Sequence, residues 1–130
     1  MAYTITRELV RDYADTVSAA RIALADNGFG VLTEIDIQAT LKAKLGVDVP
    51  AQIILGACRP PLAYAALQAE PSIAVFLPCN VVVRDLGEGR TLVEAMDPAF
   101  MVDVTGKPEL AEVAADARER IGTALASLSV

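Results

Sequence analysis

The sequence predicts an α+β domain over residues 1–130, a mainly antiparallel sheet with its helices packed on one face. Three features carry that prediction. Short β-branched runs bounded by turn residues recur through the middle of the chain. The last two of them are joined by a Gly-Glu-Gly hairpin. The chain then ends in a long stretch with one continuous apolar stripe at helical spacing. Strands grouped between helices, without strict alternation of strand and helix, argue against a parallel sheet.

Taken in order, Tyr3-Thr4-Ile5-Thr6 alternates polar and apolar residues and reads as a short strand. From about Val10 to Asn27 the pattern is helical, with Tyr13, Val17, Ala20 and Leu24 on one stripe. Asn27-Gly28 closes that helix, because glycine takes the left-handed conformation without steric cost. Phe29 to Ile35 is the second strand. Asp36 then caps a short helix, with Ile37, Leu41 and Leu45 expected on its buried face and Gly46 ending it. Gln52 to Cys58 is the third strand, broken by Pro60-Pro61. A helix starts near Leu62 and runs to about Ala69, since proline is tolerated in a first turn. The apolar run Ile73 to Leu77 matches no single template. Asn80 to Leu86 and Thr91 to Met96 are the fourth and fifth strands. Pro108 opens the final helix, whose stripe is Leu110, Val113, Ala114, Ala117, Ile121, Ala124, Leu125 and Leu128. Glu109 and Glu112 sit at its N-terminal end, where the helix dipole favours them.

Composition narrows the chemistry. Apolar residues make up 54% of the 130, and none of the apolar stretches approaches the ~20 residues of a membrane span. Met1 to Asp12 lacks the basic flank and apolar run of a secretory signal, so a cytoplasmic protein is expected. Eleven basic residues are scattered among seventeen acidic ones, for a net charge of −6. No basic stripe is available for a phosphate backbone, so neither nucleic acid nor a membrane is an expected partner. Histidine is absent altogether. Ser–His and Cys–His catalytic pairs are thereby excluded, together with histidine-ligated zinc.

The two cysteines, Cys58 and Cys79, each stand beside a strand end with a proline close by. If the third and fourth strands pair antiparallel, both fall at one end of the sheet. The hairpin at Gly87 to Gly89 brings Met96 and Asp97 back to that end, under the helix that follows Pro60-Pro61. Alternation puts Asn80, Val82 and Arg84 on one face and Cys79, Val81 and Val83 on the other, so Cys79 turns inward. Val82, Leu92 and Met96 on the second face suit a homodimer contact or an apolar ligand. The thiols read either as buried core residues or as a functional pair. A functional pair would be a redox dithiol, or soft ligands for a metal with Met96 as the third. Glu34 and Asp36, two apart, read either as a carboxylate pair sharing a face or as a surface carboxylate and a helix cap. Gly87 to Gly89 lacks the following helix and Lys of a phosphate loop.

Four segments resemble a known family. They are Gly30 to Asp36 (GVLTEID), Leu55 to Ala63 (LGACRPPLA), Leu77 to Val82 (LPCNVV) and Ala95 to Pro98 (AMDP). In this order, and over nearly the whole chain, they resemble the bacterial and archaeal domain-of-unknown-function family 302. The resemblance implies a TATA-binding-protein-like (TBP-like) fold, strand–helix–four strands–helix, usually as a homodimer. It brings no established activity. The leading expectation is a non-enzymatic, homodimeric small-ligand-binding or interaction domain, with a site at Cys58, Cys79, Asn80 and Asp97. The alternative is a thiol-dependent redox switch or a Cu(I) or Zn(II) binder that uses Cys58, Cys79 and Met96. A purely structural dimer is the third.

Overall fold

The computed structural model describes residues 3–130; Met1 and Ala2 lie outside the described residues. Five strands form one sheet: β1 (Thr4–Leu9), β2 (Gly30–Asp36), β3 (Gln52–Cys58), β4 (Cys79–Gly87) and β5 (Arg90–Met96). Their spatial order is β1-β5-β4-β3-β2, and every neighbouring pair is antiparallel. The pairing on which the site argument depended is therefore present, with Ala57 opposite Cys79. The β4–β5 turn uses left-handed backbone at Gly87, Glu88 and Gly89 in succession. The Gly87 amide donates to the Asp85 carboxylate at 2.8 Å, which braces the turn.

Alternation along the strands separates the two faces. Leu55, Ala57, Cys79, Val81, Val83, Val93 and Ala95 are buried on one side. They meet α1 (Tyr13–Asp26) through Ala20, Ala23 and Leu24, and α5 (Ala111–Ala126) through Ile121, Ala124 and Leu125. Each large apolar side chain sealed here contributes about 1.5–3 kcal/mol relative to an exposed one. The stripe expected in the final helix is the one buried, though its first residues, Pro108–Leu110, form a 3-10 turn before α5 begins. In α1 the stripe is centred on Ala20 and Leu24, with Thr16 fully buried because its hydroxyl donates to the Asp12 carbonyl at 2.7 Å.

Three departures from the sequence reading shape the site. Helix α2 (Ile37–Leu45) buries none of its residues, contrary to the expected buried face of Ile37, Leu41 and Leu45. Its ends hold it instead: Asp36 accepts from the Ala39 amide at 2.9 Å, and Gly46 closes it in the left-handed conformation. It stands beside the edge strand β2, where no second layer covers its apolar positions. The ambiguous run at Ile73 belongs to a 3-10 turn over Pro71–Phe76 that sinks Ile73 completely. Finally, Asp97-Pro98 starts an additional helix, α4 (Ala99–Thr105). With α3 (Pro60–Ala69), α4 builds a second small core of Ala66, Ile73, Met101 and Leu110 at the cysteine end of the sheet.

Candidate functional site: a sulfur-lined cavity at the sheet end

The two cores meet around a cavity of about 30 Å³. Room of that size accepts only a group of about one to three water-sized units. Its floor comes from the ends of β3 and β4, which contribute Ala57, Cys58 and Cys79. Helix α3 roofs it with Leu62, Ala63 and Ala66, as its start directly after Cys58-Arg59 dictates. Phe29, Leu77 and Pro78 close one side, and Met101 of α4 with Val113 and Ala117 of the last helix closes the other.

Both cysteines are free thiols, Cys79 buried and Cys58 half-buried. Cys79 faces Ala57 across the ladder. Cys58 stands one residue on, opposite Gly30, where the strand ends and the chain turns into α3. Burial pushes the Cys79 thiol up to about 11, and the neighbouring Cys58 charge adds to the shift. Desolvation disfavours a thiolate more than a thiol, so Cys79 is protonated at neutral pH and is no resting nucleophile.

Arg59 is the one charged residue in the lining. Its Nε is sealed from solvent without a hydrogen-bond partner, and no carboxylate among the described residues pairs with its guanidinium. The guanidinium packs over Gly28, where a Cβ would come within 2.5 Å of Nη1, so the glycine that ends α1 also makes room for the arginine. Gly56 in β3 is also a position of close approach. A Cβ there would collide with the Thr33 hydroxyl and lie 2.8 Å from Pro78 Cγ.

The residues expected to converge divide between two places. Cys58 and Cys79 share the cavity. Asn80 projects to the opposite face, where it lines a shallow depression with Met96, Val82 and Glu94, and neither Asn80 nor Met96 belongs to the cavity wall. Strand alternation enforces that split, because consecutive residues of β4 point to opposite faces. Asp97 also stays outside the lining. It is buried (6% exposed), accepts from Arg118 Nε at 3.1 Å through both oxygens, and takes the Ala99 amide at 3.0 Å. It therefore caps α4 and ties that helix to α5. Glu34 pairs with Arg21 and Asp36 caps α2, the structural roles read for them in sequence.

Comparison with known proteins agrees with this architecture. The family described as "Domain of unknown function DUF302" matches residues 5–128. This chain belongs to that family. The crystal structure of an uncharacterized conserved DUF302 protein from Bacillus stearothermophilus is similar over 97% of this chain and 98% of that one, with a TM-score of 0.88 and 28% identity. No curated protein matches. As a DUF302 domain the chain thus has a firmly placed fold, and its chemistry has to be read from its own side chains.

Among the lining residues of this DUF302 cavity that sequence reasoning missed, Arg59 and Met101 are the ones that carry a charge or a sulfur. Arg59 was legible in principle, lying between a site cysteine and the prolines that open α3. Met101 carried no signal, because the helix that delivers it has only seven residues and no stripe of its own.

Proposed function

We propose that this chain is a non-enzymatic, homodimeric domain that binds a small apolar molecule in the cavity at Cys58 and Cys79. The observation that carries the reading is the convergence of two family-like segments on one small cavity. LGACRPPLA supplies Ala57, Cys58, Arg59, Leu62 and Ala63, and LPCNVV supplies Leu77, Pro78 and Cys79. The lining offers apolar side chains and sulfur, suited to an apolar guest and poor in groups that move protons at neutral pH. Asn80 and Asp97 are left out of the contact set.

The test is native mass spectrometry of wild type and Ala66→Leu. Ala66 is buried in the roof, and a leucine there fills the cavity. Small apolar molecules should travel with wild type and be lost from Ala66→Leu, with unchanged circular dichroism. Identical bound masses on both proteins, or none on either, overturn the reading.

For the dimer, the support is the open face of the sheet. Ile54, Val82 and Leu92 lie on it in adjacent strands. Arg84 stands opposite Leu92 and Glu94 opposite Val82, and neither charge has an ion-pair partner among the described residues. A two-fold contact pairs a patch with itself, and a patch carrying one free charge of each sign is self-complementary. Wild type should elute as a dimer in light-scattering chromatography and Val82→Glu as a monomer; a monomeric wild type refutes it. No helix among the described residues is long and apolar enough to cross a membrane. The proposed setting is the cytoplasm, where free thiols stay reduced. Nucleic acid is not a proposed partner for a chain of charge −6.

A further inference from the structure

Three sulfur-bearing residues from three separate elements line the cavity: Cys58 at the end of β3, Cys79 at the start of β4 and Met101 on α4. Histidine is absent from the chain, and no carboxylate reaches the lining. We infer that Cys58, Cys79 and Met101 form a three-sulfur binding site for a soft monovalent cation, Cu(I). The inference shares with the preceding reading only the premise that a guest can enter this cavity.

Ligand chemistry selects the metal. Thiolate and thioether sulfur are soft donors that favour Cu(I), whereas Zn(II) in a structural site takes four ligands and Mg(II) or Ca(II) take oxygen. Three sulfurs with no hard donor in the wall leave Cu(I) as the fitting physiological ion. Met101 is 3% exposed and lines the cavity, whereas Met96, though packed against both cores, is not part of the cavity wall and lines the depression beside Asn80.

Binding balances as two thiols plus Cu(I) giving a bis-thiolate–thioether complex and two protons released to solvent. Copper stays Cu(I), and no electron moves. The complex carries one net negative charge inside an apolar wall, and this gives unpaired Arg59 a role. Its guanidinium offsets the charge that the metal leaves behind. A thiol held protonated by burial is no barrier to such a site, since the metal displaces the proton as it binds.

The experiment is anaerobic competition for Cu(I) against a chromogenic chelator, using the full chain and Cu(I) alone as probe. Wild type should bind one Cu(I) per chain. Cys58→Ser should lower affinity by at least a hundredfold, and Met101→Leu, which preserves volume, by about tenfold or more. Met96→Leu should leave affinity unchanged. Arg59→Gln should weaken binding about tenfold, the size expected for loss of one nearby opposite charge. Affinity should rise about a hundredfold per pH unit below the thiol pKa values, two protons being displaced. Retention of affinity within threefold in Cys58→Ser or Met101→Leu, with folding verified by circular dichroism, overturns the assignment. So does a loss in Met96→Leu. Apolar guests that bind without Cu(I) refute this site and leave the preceding reading standing; Cu(I) bound without apolar guests does the reverse.

Discussion

Raising the pH should destabilise this protein through Cys79 in a way that can be isolated from every other group. The Cys79 thiol rises from an ordinary 9.0 to about 11 because burial penalises its charged form. Between those values the unfolded chain has released the proton and the folded chain still holds it. Fewer protons bound in the unfolded state mean that stability falls with pH. The contribution is fully present below pH 9 and is lost as pH climbs through 11. At 1.36 kcal/mol per unit, a shift of this size is worth about 3 kcal/mol in full, and roughly half of it is gone by pH 10. Other groups add to the alkaline loss, among them Tyr13, which is also shifted upward by burial and then by Asp36, Asp85 and Glu34. Urea titrations of wild type and Cys79→Ala at pH 8, 9, 10 and 10.5 remove that common background. At pH 8 the variant should be less stable by about 1 kcal/mol from lost packing. The gap should close by pH 10 and then reverse. A stability difference that stays constant from pH 8 to 10.5 refutes the reasoning, since it would mean that the buried thiol ionises alike in both states.

Three further outcomes follow from the same geometry. In native protein at pH 8, iodoacetamide should modify Cys58 and spare Cys79, which should react only with added denaturant; equal labelling of both by intact mass would contradict the burial difference. Gly56→Ala should cost about 2–3 kcal/mol by urea unfolding, because its Cβ enters the Thr33 side chain, and Thr33→Ala in the same chain should recover part of it. Removing the two ends of the Asp97–Arg118 pair should have unequal effects. Asp97→Ala loses a buried carboxylate that also caps α4 and should cost about 2 kcal/mol. Arg118→Ala, at a side chain 57% exposed, should cost less than about 1 kcal/mol. Equal losses would place the stabilisation in the ion pair and not in the cap.

How far the fold was legible depended on periodicity. The third strand, Gln52 to Cys58, and the final helix stripe were readable because each carries a long pattern that only one element satisfies. The inward turn of Cys79 followed from strand parity alone, and its burial agrees. The same parity argument carried a warning for Asn80, which follows the inward-facing Cys79 and therefore projects to the other face of the sheet. Met96 and Asp97 reached the expected end of the sheet, but their side chains were engaged elsewhere. Topology brings backbones together, and the direction of each side chain then decides whether they form one site. Helix α2 was misread for a different reason. Ile37, Leu41 and Leu45 have the spacing of a buried face, yet beside an edge strand there is no second layer to bury them.

The same distinction between backbone placement and side-chain direction bears on the thiol chemistry open to this cavity. A catalytic thiol needs a low pKa, which comes from a nearby cation, an imidazole or a well-aimed helix N-terminus. Here α3 does begin beside Cys58, but Pro60 and Pro61 remove the first two amides that could face a thiolate. Burial then moves Cys79 in the opposite direction. Arg59 supplies a cation at the cavity edge, where its guanidinium packs over Gly28 at the end of α1. Of the groups that could activate a thiol, imidazole is absent from the sequence, and the first amides of α3 are lost to proline. What the arrangement preserves is a small, sulfur-rich space with one positive charge at its edge. Under the proposed binding role, the guest that fits such a space is one that is soft, or that becomes negative only after it has bound.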